Sequence, residues 1–166
     1  LSVSPLTTHT PIKYVTKNIT KKKILENISK INKFYKQTLK KKCHIAVLGL
    51  NPHCETTSKY SEEEKIIIPS LNILKKRGIK IKCPFSADTF FLNKNINKYD
   101  VVVGMYHDQV LTPIKTLFNF NAINITIGLP FIRISPDHGP NSGMVGKNKS
   151  DPSSLIYAIE FIEKLN

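Results

Sequence analysis

Apolar side chains fall along this chain in two different patterns. Between residues 16 and 42, Ile19, Ile24, Ile28, Ile31, Phe34, Tyr35 and Leu39 return near the helical repeat with lysines between them. That is the pattern of a helix with one buried stripe. Residues 44–50 (HIAVLGL) and 100–104 (DVVVG) are instead short continuous apolar runs bounded by Asn, Pro or Gly, and they read as buried strands. A strand is also predicted over 1–9, closed by Pro11, a short one at 79–81, and another over 122–127, stopped by Gly128-Leu129-Pro130. Further helices are predicted over 62–76, with acidic residues in the first turn and Gly78 past the end, and over 112–117. A short one starts at Asp88 or Thr89, and a last one runs from a Ser153 or Ser154 cap to Lys164. Residues 53–61 and 135–153 are polar loops.

Strands alternating with helices imply βαβ units, hence an α/β fold with a mainly parallel sheet flanked by helices. At 166 residues the chain suits one domain, a single α/β region over 1–166. No run approaches the ~18 apolar residues of a membrane span, and no basic start precedes an apolar stretch as in a leader. No membrane partner is expected. The chain opens on Leu1-Ser2-Val3-Ser4, without an initiator Met, and reads as the C-terminal portion of something longer. Cys43, Cys54 and Cys83 are odd in number and form no CxxC pair, which argues against a disulfide framework and for a reducing, cytoplasmic location.

Charge changes the picture less than its size implies. The net charge is +13, which fits either an anionic partner or a compositional bias. Only Arg77 and Arg133 are arginine; every other basic residue is lysine, and Ile and Asn are abundant too. Nucleic-acid readers lean on arginine, whose fork matches phosphates and guanine edges. No aromatic interleaves with the lysines in the pattern of an RNP motif. The bias reading is preferred, and no nucleic acid is expected.

Candidate chemistry sits at the strand ends. His9 follows the first strand, His53 the strand over 44–50, and His107 the Val101–Val103 run. In an open parallel sheet, ligands bind outside the carboxyl ends of the strands. Three histidines distant in sequence can meet there and hold a divalent ion such as zinc, cobalt, nickel or manganese, with a position open for substrate. Asp108 is placed to fix a histidine tautomer. A capping or loop role for each histidine is the alternative. Arg133, rare in a lysine-biased chain, suits a bidentate phosphate or carboxylate contact, or a surface ion pair. Lys115 and Asn124 lie nearby in sequence. Asp137-His138-Gly139-Pro140, Gly143 and Gly146 form either a phosphate-approaching loop or a plain surface loop. No GxGxxG follows a strand, so a Rossmann site is not indicated.

Taken together, TTHTP (7–11), GLNPH (49–53), ADT (87–89), MYHDQ (105–109), INITIGLPFIR (123–133) and SPDHG (135–139) resemble the 4-hydroxythreonine-4-phosphate dehydrogenase family of pyridoxal phosphate biosynthesis. The resemblance runs in order over nearly the whole chain. It implies an isocitrate/isopropylmalate dehydrogenase-like α/β fold whose N-terminal half is missing here. It implies metal ligands at His9, His53 and His107, substrate contacts at Lys115, Asn124 and Arg133, and NAD near His138, Gly139 and Gly146. The implied reaction is NAD- and divalent-metal-dependent (Zn, Co, Mg or Mn) oxidation and decarboxylation of 4-phosphooxy-L-threonine, with Asp108 in proton transfer or orientation. The implied assembly is a homodimer with its site at the interface.

The chain also departs from the family. A glycine-rich segment is replaced by Cys54-Glu55-Thr56-Thr57-Ser58, an expected glycine is Val110, and DHGT is DHGP. Lost glycines predict strained, left-handed backbone. Two further readings follow from the resemblance: a truncated, non-catalytic remnant that keeps the metal site, and a relative acting on phosphorylated sugar acids such as threonate phosphate.

Overall fold

A computed structural model of the chain describes residues 1–55, 58–92, 96–119, 121–140 and 142–165. Thr56 and Thr57, part of the stretch that replaces the family's glycines, lie outside them. The chain divides into two compact units, Leu1–Pro113 and Ile114–Asn166.

The first unit is built on four strands: β1 (Ser2–Pro5), β2 (Ile45–Leu48), β3 (Ile81–Phe85) and β4 (Val101–Gly104). Their order is β1-β4-β2-β3 and every pairing is parallel, as the sequence predicted. β2 and β4 are central and buried throughout. A parallel strand covered on both faces needs apolar residues at every position, which is why IAVL and VVV run without alternation. Ala46, Leu48 and Val102 pack with Phe90 and Val110 into one core cluster.

β1 is shorter than predicted, because the chain leaves the sheet at Pro5. β3 extends further than 79–81. It is an edge strand, where Pro84 is tolerated, and its register jumps where Ala46 and Val47 oppose Lys82 and Pro84.

The long helix predicted over 16–42 is two helices, α1 (Val15–Asn18) and α2 (Lys21–Gln37). Ile19 turns extended, and the Thr20 hydroxyl caps α2 by accepting from the Lys23 N–H at 3.2 Å. Ile24, Ile28 and Ile31 form its buried stripe. The helix predicted over 62–76 begins as a π-turn, Glu63–Ile67, before α3 (Ile68–Lys76). Pro69 has no N–H with which to close a regular turn, and the wider turn absorbs the gap. A short α4 (Ala87–Phe90) is anchored by buried Phe90. The helix predicted to start at 112 starts earlier: α5 is His107–Phe118, with Pro113 inside it.

The second unit holds the antiparallel strands β5 (Ile123–Thr126) and β6 (Arg133–Pro136), with α6 (Ser153–Glu163) against them. β6 falls partly where the sequence predicted loop. Neither Ser153 nor Ser154 caps α6. Asp151 instead accepts from the Ser153 N–H and hydroxyl, at 2.9 and 2.6 Å.

Candidate functional site

β1, β4 and β2 are adjacent and parallel, so their carboxyl ends share one edge. The segments leaving those ends carry His9, His107 and His53. The His9 and His107 rings lie 5.8 Å apart between centroids. At that separation two imidazoles can share one ion whose bonds to nitrogen are about 2.0–2.1 Å. His107 opens α5, and its Nδ1 is 2.7 Å from Asp108 Oδ1. His53 Nδ1 stands 3.5 Å from Asp88 Oδ2, a partner on α4 that sequence reasoning did not assign. A carboxylate at Nδ1 turns Nε2 outward, as in ligating histidines. The buried Ser86 hydroxyl, near Asp88 but without a fully formed hydrogen bond, is the chief influence holding that carboxyl below its ordinary range; His53 adds to it.

His9 (φ 48°), His53 (φ 56°) and Cys54 (φ 54°) all have left-handed backbone. Such residues cost on the order of 1–3 kcal/mol and concentrate at functional sites. Cys54 bears out the strain predicted for the replaced glycines. Val110 does not: it is buried and helical in α5. Burial raises the Cys54 thiol's pKa, partly offset by a hydrogen bond with the Gly49 backbone, which argues against a reactive thiolate.

Among the described residues, no three His, Cys, Asp or Glu side chains are grouped to hold a metal ion. The structure brings His9 and His107 together and pairs His53 with Asp88. The donor chemistry fits a divalent ion nonetheless: three imidazoles on one sheet edge, two of them carrying carboxylates.

Three buried polar residues order these loops, and sequence reasoning missed all three. Glu63 is fully buried; its Oε1 accepts from the N–H groups of Leu50 (2.6 Å) and Asn51 (2.8 Å). It thus pins the turn leading to His53. The Gln109 side chain accepts from the Met105 N–H and donates to the Gly49 carbonyl, both at 2.7 Å. The Thr7 hydroxyl donates to the Met105 carbonyl at 2.8 Å. The same turns require glycine. A Cβ on Gly49 would meet Cys54 Sγ at 2.7 Å, and one on Gly104 would meet Val110 Cγ1 at 2.5 Å.

In the second unit, Asn124 lies opposite Ser135, and Thr126 opposite Arg133. Alternation along the strands puts all four on one face of the β5–β6 pair. Arg133 Nη1 donates to Thr126 Oγ1 at 3.2 Å. Lys115 Nζ donates to the Asp137 carbonyl (2.9 Å) and carboxylate (2.8 Å). Ser154 holds the Asp137 segment, accepting from the Asp137 N–H and donating to the Ala122 carbonyl. His138 Nδ1 lies 3.1 Å from the Gly139 carbonyl oxygen. Gly146 takes φ +75°, and nothing lies within 4 Å of where a Cβ on Gly139 or Gly146 would sit.

The chain matches the family model described as pyridoxal phosphate biosynthetic protein PdxA over residues 1–162. It is 46% identical over 162 residues to the 4-hydroxythreonine-4-phosphate dehydrogenase of Sulfurihydrogenibium sp., covering 96% of this chain and 50% of that one. It is 42% identical to the Aquifex aeolicus enzyme of the same name, covering 99% and 51%. The solved structure of the Klebsiella pneumoniae 4-hydroxythreonine-4-phosphate dehydrogenase superposes with a TM-score of 0.84 at 32% identity, over 98% of this chain and 50% of that one. The chain thus spans about half the length of the curated relatives it matches.

Proposed function

The chain belongs to the family of the pyridoxal phosphate biosynthetic protein PdxA, and from that premise we propose that it supplies metal- and substrate-binding residues to an oxidoreductase. The reaction is NAD-dependent oxidation, with decarboxylation, of 4-phosphooxy-L-threonine toward pyridoxine 5'-phosphate. The carrying observation is that three adjacent parallel strands, β1, β4 and β2, each lead at the carboxyl end into a histidine segment.

In this reading His9, His53 and His107 hold a divalent ion of the Zn, Co, Mg or Mn class. Such an ion would supply Lewis acidity, lowering the pKa of the substrate hydroxyl and stabilising the charge left by loss of CO2, and NAD would supply the hydride acceptor. Asp108 and Asp88 orient His107 and His53, and Asp108, being exposed, can also carry a proton. Asn124 and Arg133, on one face of β5–β6, and Lys115 are assigned to the substrate's anionic groups. His138, Gly139 and Gly146 are assigned to NAD; the open positions at both glycines support close backbone approach there. The proposal includes a homodimer, supported by the exposed apolar Ile156, Ile159 and Ile162 of α6. It includes a cytoplasmic location, supported by the free thiols of Cys43 and Cys54. Among the described residues no helix is long and apolar enough to cross a membrane.

The test is the metal content of the purified chain beside a His107→Ala variant. About one divalent ion per chain, lost in the variant, is the expected result. No ion in either protein, with the fold intact by circular dichroism, overturns the metal assignment.

A further inference from the structure

The metal-site reading says which histidines act; the buried polar side chains say what sets their spacing. We infer that Gln109 and Thr7 are positioning residues that latch the three histidine segments onto one residue, through the backbone N–H and carbonyl of Met105. The inference rests on the metal reading only for its consequence, since the latch is a matter of geometry.

Met105 is fully buried and lies between β4 and α5, just before His107. Its N–H is taken by Gln109 Oε1 at 2.7 Å, and its carbonyl accepts from Thr7 Oγ1 at 2.8 Å. Gln109 then uses its amide nitrogen to reach the Gly49 carbonyl, 2.7 Å away. One residue thus joins the segment after β4 to the segment after β2, and another joins it to the segment after β1. Gln109 is 8% and Thr7 4% exposed. At that burial water cannot replace these bonds, and an unmade one leaves a backbone group desolvated and unpaired.

The side-chain chemistry is specific. Among side chains of this length, a primary amide offers an acceptor to Met105 and a donor to Gly49 at once without taking up a proton, as a glutamic acid would have to. Glutamate at 109 would keep the first bond and set a carboxylate against the Gly49 carbonyl. Methionine would lose both bonds at nearly equal volume. His53 and His107 are not bonded to Gln109, so its effect on them passes through loop position.

The test compares wild type with Gln109→Glu and Gln109→Met by amide hydrogen exchange and by titration with Co2+, followed in the visible spectrum. Exchange at residues 50–54 should rise about tenfold or more in both variants, while the Met105 amide stays protected only in Gln109→Glu. Co2+ affinity should fall about 10–100-fold, the usual effect of removing a residue that orients metal ligands. Folded variants with unchanged exchange at residues 50–54 overturn the latch. Weakened exchange protection with unchanged Co2+ affinity overturns its role in spacing the ligands. If wild type itself takes up no Co2+, the metal reading fails, and the exchange data alone decide the latch. If both Gln109 variants unfold, Thr7→Val and Thr7→Ser decide it. Valine should loosen residues 8–10 and weaken Co2+ binding, serine should restore both, and equal behaviour of the two overturns the proposal.

Discussion

Glu63 and Asn51 are joined by two hydrogen bonds. The Asn51 N–H donates to Oε1 at 2.8 Å and its side-chain amide donates to Oε2 at 2.7 Å. Glu63 Oε1 also accepts from the Leu50 N–H at 2.6 Å. A fully buried carboxylate is tolerated here because donors surround it. Glu63→Ala would strand those donors. With each unmet or charge-assisted bond worth about 1–3 kcal/mol, the expected loss is about 3 kcal/mol. Glu63→Gln, which must turn an NH2 toward one donor, should lose about half as much. Urea midpoints of the two variants check both values, and a loss below about 0.5 kcal/mol for Glu63→Ala would contradict the clamp.

Gly104 ends β4 with no room for a side chain. A Cβ there would meet Val110 Cγ1 at 2.5 Å and Gln109 Oε1 at 3.1 Å. Both belong to the turn of α5 that carries His107, so the strain of Gly104→Ala falls on the site. Overpacking of this kind costs about 1–3 kcal/mol. Val110→Ala removes the closer obstacle, so the double variant should be less destabilised than the two single changes sum to. Thermal midpoints of the full cycle measure that coupling, and strict additivity would rule the steric account out.

The parts of this fold legible in the sequence are those where one short-range rule acts alone. VVV and IAVL announce themselves as buried parallel strands, and the stripe Ile24-Ile28-Ile31 as a helix. The histidine segments were legible because they follow such strands. Other features depended on partners distant in sequence. α5 begins at His107 and not at the predicted 112, and Gln109, polar in sequence, is buried in its first turn against the Gly49 carbonyl. RISP is too short to display alternation, and it becomes a strand only opposite INIT. Glu63 looked like a first-turn acid facing the helix dipole, and only folding shows the donors of residues 50 and 51 around it. The left-handed Cys54 was foreseeable, because it stands where relatives are expected to carry glycine.

The His53–Asp88 pair gives a prediction about acid. Asp88 holds its carboxyl below the ordinary range, mainly through Ser86 and then through His53. A carboxyl with a lowered folded-state pKa contributes stability at pH above its unfolded value and loses it as pH falls through the folded one. Wild type should therefore lose stability more steeply than Asp88→Asn below about pH 4. The same variant should bind Co2+ about tenfold more weakly at neutral pH, having lost the group that orients His53. Acid denaturation curves and the Co2+ titration read the two effects separately; parallel acid curves would contradict the first.

Cys43 contributes to the alkaline side, with Tyr35, whose phenol burial also pushes up. Burial, and next the charge of Asp100, push its thiol up to about 12, against about 8.5 for an ordinary thiol. A raised folded-state value means the stabilisation is complete below the unfolded pKa and is lost as pH climbs toward the folded one. Stability should thus decline between about pH 8.5 and 12, and Cys43→Ala should flatten that decline while costing some packing at neutral pH. Urea midpoints across this range decide it. The neutral thiol should also resist iodoacetamide at pH 8 in the folded state and react on unfolding.

Arg133 tests the substrate assignment. Its Nη1 is bound to Thr126, which aims the guanidinium along the face shared with Asn124, and its remaining N–H donors are suited to an anion. Lysine keeps the charge but not the planar fork. In a protein of the relatives' full length, Arg133→Lys should raise KM for the phosphorylated substrate about 10–100-fold, as expected when a charge-assisted contact of about 1.5–3 kcal/mol is lost. Thr126→Val removes only the orienting bond and should raise it less. Steady-state kinetics of the two variants check the order. If Arg133→Lys left KM unchanged while Thr126→Val raised it, β5–β6 would act through its shape, and the anion-binding role of Arg133 would be wrong.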